Sequence, residues 1–153
     1  SSAGQIGWLR ASNQAHSSPP VVSLRAMILV DTSVWIDHLR DGDPMLEKVL
    51  TNGQVYMHPM IIGELACGHL QNRHMLLALW QNLPTPVEAS HQEAMLLLEA
   101  RNLMGEGIGY VDLHLLASCL LSGDAQLWTR DKRLARVASS LDIEFEILVR
   151  PPG

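Results

Sequence analysis

Short apolar runs alternate with longer amphipathic segments from Met27 onward. Runs of this length, rich in aliphatic and aromatic residues, are typical of buried strands. The strand candidates are 27–31, 55–58, 126–129 and 143–149, with a weaker one near Val87 after two prolines. We therefore expect four or five strands.

Segments with helical spacing of apolar residues separate these runs. Asp43 followed by Pro44 is typical of an N-cap and the first helical position, and Gly53 closes that helix. Further helices are predicted over 60–71, 73–82, 90–104, 110–122 and 132–141. Strands joined through helices predict an α/β fold with a mainly parallel sheet covered on both faces.

Residues 1–26 have a different character. They are rich in serine, contain Gly, Asn, His and the run Ser17-Ser18-Pro19-Pro20, and show no hydrophobic period. They lack the basic start and apolar stretch of a signal peptide, and Met27 stands where a natural start would stand. We interpret 1–26 as a disordered tail or extension, and we place one domain at 27–150.

Composition agrees with a single globular domain. The chain has 153 residues, of which 47% are hydrophobic and 18% are charged. It contains no apolar run long enough for a membrane span. Cys67 and Cys119 lie in apolar helical contexts without zinc-type spacing, so we expect buried, reduced thiols in a cytoplasmic protein.

The net charge of −5 does not indicate general nucleic-acid binding, so any such surface must be local. A basic cluster does surround Asp131. Its members are Arg130, Lys132, Arg133 and Arg136. They could hold the phosphates of a nucleic-acid strand, or they could form the solvated face of a helix; both interpretations stay open.

Two acidic residues follow predicted strands directly. Asp31 ends the first strand and is followed by Thr32 and Ser33, and Asp131 comes just after the 126–129 strand. Ligands of open parallel sheets bind beyond the carboxyl ends of the strands. We therefore expect these two carboxylates to belong to one site.

Two further acids lie on apolar faces of predicted helices. Glu64 has Met60, Ile61 and Cys67 at same-face offsets, and Asp112 begins a stripe of leucines. Both side chains are predicted to point inward. No histidine spacing suits a metal, and His114 points about 200° from Asp112 by helical geometry.

Each acid also has a simpler explanation. Asp31 could cap a helix that starts at Thr32, and Glu64 could extend to the edge of its helix. Asp112 could be a charge in the first helical turn that the helix dipole favours, and Asp131 could pair with adjacent arginines. Four such acids in one small domain would repel one another unless cations bound them. Oxygen-only ligands favour Mg²⁺ or Mn²⁺, and such ions support phosphodiester hydrolysis.

Four short motifs, in this order, resemble the PIN-domain family, and more closely its VapC-type toxins. They are Met27–Ile36 with Asp31, Glu64 within Ile-Ile-Gly-Glu-Leu, Gly109–Ser118 with Asp112, and Trp128–Leu134 with Asp131. The resemblance implies a three-layer α/β/α fold and a Mg²⁺- or Mn²⁺-dependent endoribonuclease that acts as the toxin of a toxin–antitoxin pair.

The resemblance also implies roles for individual residues. Asp31 and Asp112 would be the principal metal ligands, and Glu64 would contribute directly or through water. Asp131 would complete a catalytic acidic cluster, and Ser33, with Thr32, would support Asp31.

The same resemblance implies two protein partners: an antitoxin whose C-terminal segment blocks the acidic cleft, and a second copy of the chain. The leucine-rich segment 70–80 has more apolar residues than one buried face needs, as an interface helix would. Two alternatives remain, namely a PIN nuclease of RNA maturation and a non-catalytic PIN module that binds RNA or protein. A nucleotide-binding regulator is disfavoured because no matching glycine-rich loop exists.

Overall fold

The computed structural model describes residues 26–147, and its elements follow the predicted alternation. The strands are β1 (Met27–Val30), β2 (Val55–Tyr56) and β3 (Ala125–Trp128). The helices are α1 (Thr32–Asp41), α2 (Pro44–Thr51), α3 (Pro59–Ala66), α4 (Arg73–Gln81), α5 (His91–Ala100), α6 (Tyr110–Ser122) and α7 (Lys132–Ser140). The α/β class is confirmed.

The three strands form one parallel sheet in the order β2-β1-β3. β1 pairs along its whole length with β3, from Met27 opposite Ala125 to Val30 opposite Trp128. Three consecutive residues of β1, 28–30, are buried, which means that both faces of the central strand are covered. This arrangement brings the carboxyl ends of β1 and β3 side by side.

The expected number of strands is wrong for the described residues, where three strands form rather than four or five. Near Val87 no strand forms, because the backbone N–H groups of Val87 and Ala89 bond to the hydroxyls of Ser122 and Ser118 on α6. In the described part of 143–149, pairing with β3 is limited to one parallel bridge at Glu144.

Several helices end earlier than predicted. α3 stops at Ala66 rather than at 71, and the chain turns before Asn72, whose φ of 58° precedes α4. α5 stops at Ala100 rather than at 104, before Asn102 at φ 53°. The predicted tail, apart from Ala26, and the end of the 27–150 domain lie outside the described residues. Within 26–147, no helix has the length and hydropathy to cross a membrane.

Helix α6 forms the centre of the core. Eight consecutive residues, 113–120, are buried, so the helix is covered all round. Elsewhere in the core, Trp35 of α1 packs edge-on against Trp80 of α4 with ring centroids 5.8 Å apart. Because α6 is covered on all sides, its first turn, which carries Asp112, has a fixed place in the fold.

Candidate active site

Asp31 is buried at the junction of β1 and α1, with 7% of its surface exposed. Its N–H donates to the carbonyl of Trp128 at 2.9 Å, which extends the β1–β3 pairing by one residue. Its Oδ2 accepts hydrogen bonds from Ser33 Oγ and Thr129 Oγ1, both at 2.8 Å. Asp31 holds the N-cap position of α1, but its side chain makes no capping bond. The carboxylate is therefore directed by the two hydroxyls rather than by the helix end.

Thr129 is a member of the site that the sequence analysis missed. Besides donating to Asp31, its Oγ1 accepts the N–H of Asp131 at 3.1 Å. Its hydroxyl thus joins the two strand-end acids that were expected to share a site. The available signal was its place between the buried β3 and Asp131, where a hydroxyl can satisfy a buried carboxylate.

Glu64 is exposed, so the prediction that it points into the core is wrong. It lies in the last turn and a half of α3, where the helix edge leaves room for a charged side chain to reach solvent. Its Oε1 accepts a hydrogen bond from Thr32 Oγ1 at 2.8 Å. Thr32, which directly follows Asp31, therefore links Glu64 to the start of α1.

Asp112 is half-buried in the first turn of α6. Its Oδ2 accepts the N–H of Gly109 at 3.1 Å, which closes the N-terminus of the helix. Burial raises the pKa of this carboxyl most, and the negative charges of Asp31, Asp131 and Glu64 raise the pKa further, against the opposing Gly109 hydrogen bond. Asp112 therefore does close the N-terminus of α6, but this hydrogen bond does not remove the repulsion between its carboxylate and the other three acids.

Asp131 is exposed and is the N-cap of α7. Its Oδ1 accepts the N–H groups of Arg133 at 2.8 Å and Leu134 at 3.1 Å. The carboxylate is therefore held by backbone groups of the adjacent arginine and leucine.

The four acids are electrostatic neighbours, because the other three each act on Asp112. Within residues 26–147, however, no group of three or more His, Cys, Asp or Glu side chains is already arranged to hold a metal ion. The oxygen donors and their mutual repulsion suit a hard divalent cation. The side-chain arrangement that would ligate such a cation is absent from this part of the chain.

The PIN domain family model matches residues 28–140, which include all four acids. Ribonuclease VapC32 of Mycobacterium tuberculosis, in strains CDC 1551 / Oshkosh and ATCC 25618 / H37Rv, is 48% identical over 108 residues. That alignment covers 71% of this chain and 87% of the relative. The chain is a VapC-type member of the PIN-domain family.

In this PIN domain, two of the four basic residues predicted to bind RNA already contact protein groups. Arg130 forms ion pairs with Asp37 and Asp43. The side chain of Arg133 lies against Gly107, whose added Cβ would meet Arg133 Cδ at 2.6 Å. Lys132 and Arg136 are exposed on α7. A role in RNA binding stays a prediction for all four residues.

The PIN domain also carries a groove of about 650 Å³ beside Glu64. Ile36 and Leu39 of α1 line one part, and Met75 of α4 lines another. These three apolar side chains are at least 40% exposed. The groove therefore combines this apolar surface with polar side chains, such as His69, Gln71 and Asn72, and it reaches one of the four acids.

The cysteines and one buried histidine of the PIN domain have the following surroundings. Both thiols are free; Cys119 is buried as expected, but Cys67 is exposed because α3 ends before it. His114 is buried against the ring of Tyr110 at a centroid distance of 4.5 Å.

Proposed function

We propose that this chain is a divalent-metal-dependent endoribonuclease that acts as the toxin of a toxin–antitoxin pair. The observation that carries the proposal is that Thr129 Oγ1 joins Asp31 to Asp131 at the ends of β1 and β3, and that the half-buried Asp112 feels the charges of these two acids and of Glu64. Membership of the PIN family and similarity to a protein named Ribonuclease VapC32 support the same activity. Carboxylates that repel one another in the free protein are suited to binding a cation and an anionic substrate together.

Asp31, Asp112 and Glu64 would hold Mg²⁺ or Mn²⁺, and Asp131 would complete the acidic cluster. Such an ion, when bound, would supply Lewis-acid activation of water and neutralise charge on the RNA phosphodiester. The donor chemistry fits, since all four groups present oxygen atoms and no thiolate or imidazole.

The residues around these acids set their orientation. Ser33 and Thr129 donate to one oxygen of Asp31, which leaves Oδ1 of that carboxylate free of the two hydroxyls. Thr32 donates to Glu64 and holds it near the start of α1. The carboxylates of Asp31 and Glu64 would thus be fixed by short hydroxyl side chains rather than by arginines, which would neutralise them.

Cleavage of RNA by the purified protein tests the proposal. With Mg²⁺ or Mn²⁺ we expect internal cuts in RNA, and EDTA or Asp31→Asn should abolish them. Glu99→Gln is a matched control, because it removes an exposed acid of α5 outside the cluster. Cleavage that persists in EDTA, or that Asp31→Asn leaves unchanged, would refute the proposal.

We further propose that the groove beside Glu64 receives the C-terminal segment of the antitoxin. A segment that fills the groove along α1 and α4 with apolar and polar side chains would reach Glu64, at the edge of the acidic cluster. Expression of the chain should arrest growth, and co-expression of the antitoxin should relieve the arrest. An RNA-maturation enzyme of the same fold would cause no antitoxin-reversible arrest.

Cytoplasmic location and homodimerisation belong to the same proposal. The two free thiols agree with a reducing compartment. Leu79, which is 50% exposed on α4 and lies outside the lining of the groove, supplies apolar surface that a second copy could cover. Sedimentation of the purified chain would measure the dimer directly.

A further inference from the structure

Arg130 joins three parts of the fold through its side chain. Its Nε contacts Asp37 Oδ2 of α1 at 2.7 Å, and its Nη2 contacts Asp43 Oδ2 at 2.5 Å. The guanidinium carbon also lies 5.9 Å from the ring centroid of Trp128. The turn after β3 is thereby tied to α1 and to the start of α2.

The backbone of Arg130 enters the acidic site. Its N–H donates to Ser33 Oγ at 3.0 Å, and the same hydroxyl donates to Asp31 Oδ2 at 2.8 Å. One uninterrupted chain of contacts therefore runs from the Asp37 and Asp43 carboxylates, through Arg130 and Ser33, to Asp31.

Asp43 is well suited to anchor this chain. Its side chain is only 15% exposed, and its Oδ1 accepts the N–H of Leu46 as the N-cap of α2. Burial alone would raise the pKa of this carboxyl, but the N–H groups of Leu46 and Met45 and the guanidinium of Arg130 together lower it. Asp43 is therefore a charged, ordered partner for Arg130.

The same contacts disfavour Arg130 as an RNA-phosphate ligand. Its one positive charge already faces two carboxylates, and Arg40 also contacts Asp37, so the charge of Arg130 is largely neutralised and attracts a phosphate only weakly. Binding RNA would require the guanidinium to leave both partners. Exposed ion pairs contribute little to stability, so the value of this pairing is in the geometry that it imposes.

We propose that Arg130 is a positioning residue, whose guanidinium, held by Asp37 and Asp43, fixes the backbone N–H that orders Ser33 and through it the Asp31 carboxylate. The inference assigns Arg130 a task inside the acidic site rather than on the substrate, and it rests on the proposed ribonuclease function for its kinetic test. Its structural test does not depend on that function.

The experiment compares Arg130→Ala, Arg130→Lys and Asp43→Asn with Arg40→Ala. Arg40 is the matched control, because it also pairs with Asp37 at 2.9 Å but makes no contact with the Ser33 hydroxyl. Each variant is measured in three ways: kcat and KM for RNA at low and high salt, the Kd for Mn²⁺ by calorimetry, and hydrogen exchange of the amide at position 130.

For Arg130→Ala we expect about a tenfold lower kcat, a weaker Kd for Mn²⁺, faster amide exchange, and an unchanged KM and salt dependence. Arg130→Lys should recover part of the loss, Asp43→Asn should show a smaller loss of the same kind, and Arg40→Ala should match wild type. A raised KM for RNA that depends less on salt concentration, at unchanged kcat and Mn²⁺ affinity, would identify Arg130 as an RNA contact and overturn the proposal.

The outcomes separate the two proposals. If the wild-type chain binds Mn²⁺ but cuts no RNA, the ribonuclease function fails, and the Mn²⁺ affinity and amide exchange of the variants still decide the role of Arg130. If wild type cuts RNA and Arg130→Ala matches it in kcat, Mn²⁺ affinity and exchange, the positioning role alone is refuted.

Discussion

Protonation of His58 should destabilise the domain at mildly acidic pH. His58 is 2% exposed and caps α3, where its Nδ1 accepts the N–H of Met60 at 3.0 Å. The neutral ring therefore carries its proton on Nε2, which has no hydrogen-bond partner within residues 26–147. A second proton would occupy Nδ1, break the cap and place a charge in the core.

The pKa of His58 gives the size of the effect. Burial, with a smaller contribution from His114, lowers this pKa from 6.5 to about 4. The unfolded chain thus binds the proton more tightly than the folded chain, and stability falls as the pH drops from 6.5 toward 4. The full loss is about 3 kcal/mol, of which about 2 kcal/mol is reached near pH 5.

Urea unfolding at several pH values measures this loss. His58→Asn keeps a capping oxygen but cannot take up a proton, so it is the matched variant. We expect wild type to lose about 2 kcal/mol more than His58→Asn between about pH 7 and about pH 5. Burial also lowers the pKa of His114, and this contribution remains in both proteins. Equal losses in the two proteins would refute the assignment to His58.

Three further predictions follow from single contacts. Ser33→Ala removes one of the two hydroxyl donors to Asp31. A hydrogen bond to a charged group contributes roughly 1.5–3 kcal/mol, so we expect the rate of RNA cleavage to fall by about tenfold or more; an unchanged rate would contradict that role. Thr129→Val removes the other donor and the acceptor of the Asp131 N–H, so its cleavage rate should fall at least as far as that of Ser33→Ala. Gly107→Ala and Gly105→Ala both place alanine at positive φ, and in urea unfolding each should lower the free energy of unfolding by about 1 kcal/mol or more. The loss should be larger for Gly107→Ala, because only the Cβ at Gly107 would meet Arg133.

Much of the fold was predictable because its signals are local. Pro44 after Asp43, Pro59 and Gly123 are strong boundary residues, and α2, α3 and α6 begin or end where these residues predict. The three buried strands were predicted from continuous apolar runs. The strand expected near Val87 does not form, because the hydrogen bond from the Val87 N–H to the Ser122 hydroxyl on α6 is a tertiary contact that no local sequence pattern records.

The candidate site was predictable at the strand ends and less so on the helices. Asp31 and Asp131 follow β1 and β3, and parallel pairing necessarily brings these ends together. The orientation of Glu64 was predicted wrongly, since helical spacing describes a face but not how close it lies to the edge of the core. Thr129 and the ion pairs of Arg130 were missed because hydrogen bonds between distant segments depend on the assembled fold.

The central claim is that the four acids form a divalent-cation site, and the stability of Asp112→Asn tests it most directly. Without metal, this variant should be more stable than wild type, because it removes a half-buried charge that Asp31, Asp131 and Glu64 repel. Mn²⁺ at about 100 times its Kd should stabilise wild type by about 2.7 kcal/mol and the variant far less.

Urea unfolding of both proteins, in EDTA and in Mn²⁺, provides the measurement. We predict that Asp112→Asn is the more stable protein in EDTA and that Mn²⁺ reverses this order. An equal Mn²⁺-induced gain in the two proteins would contradict the claim that Asp112 belongs to a cation site.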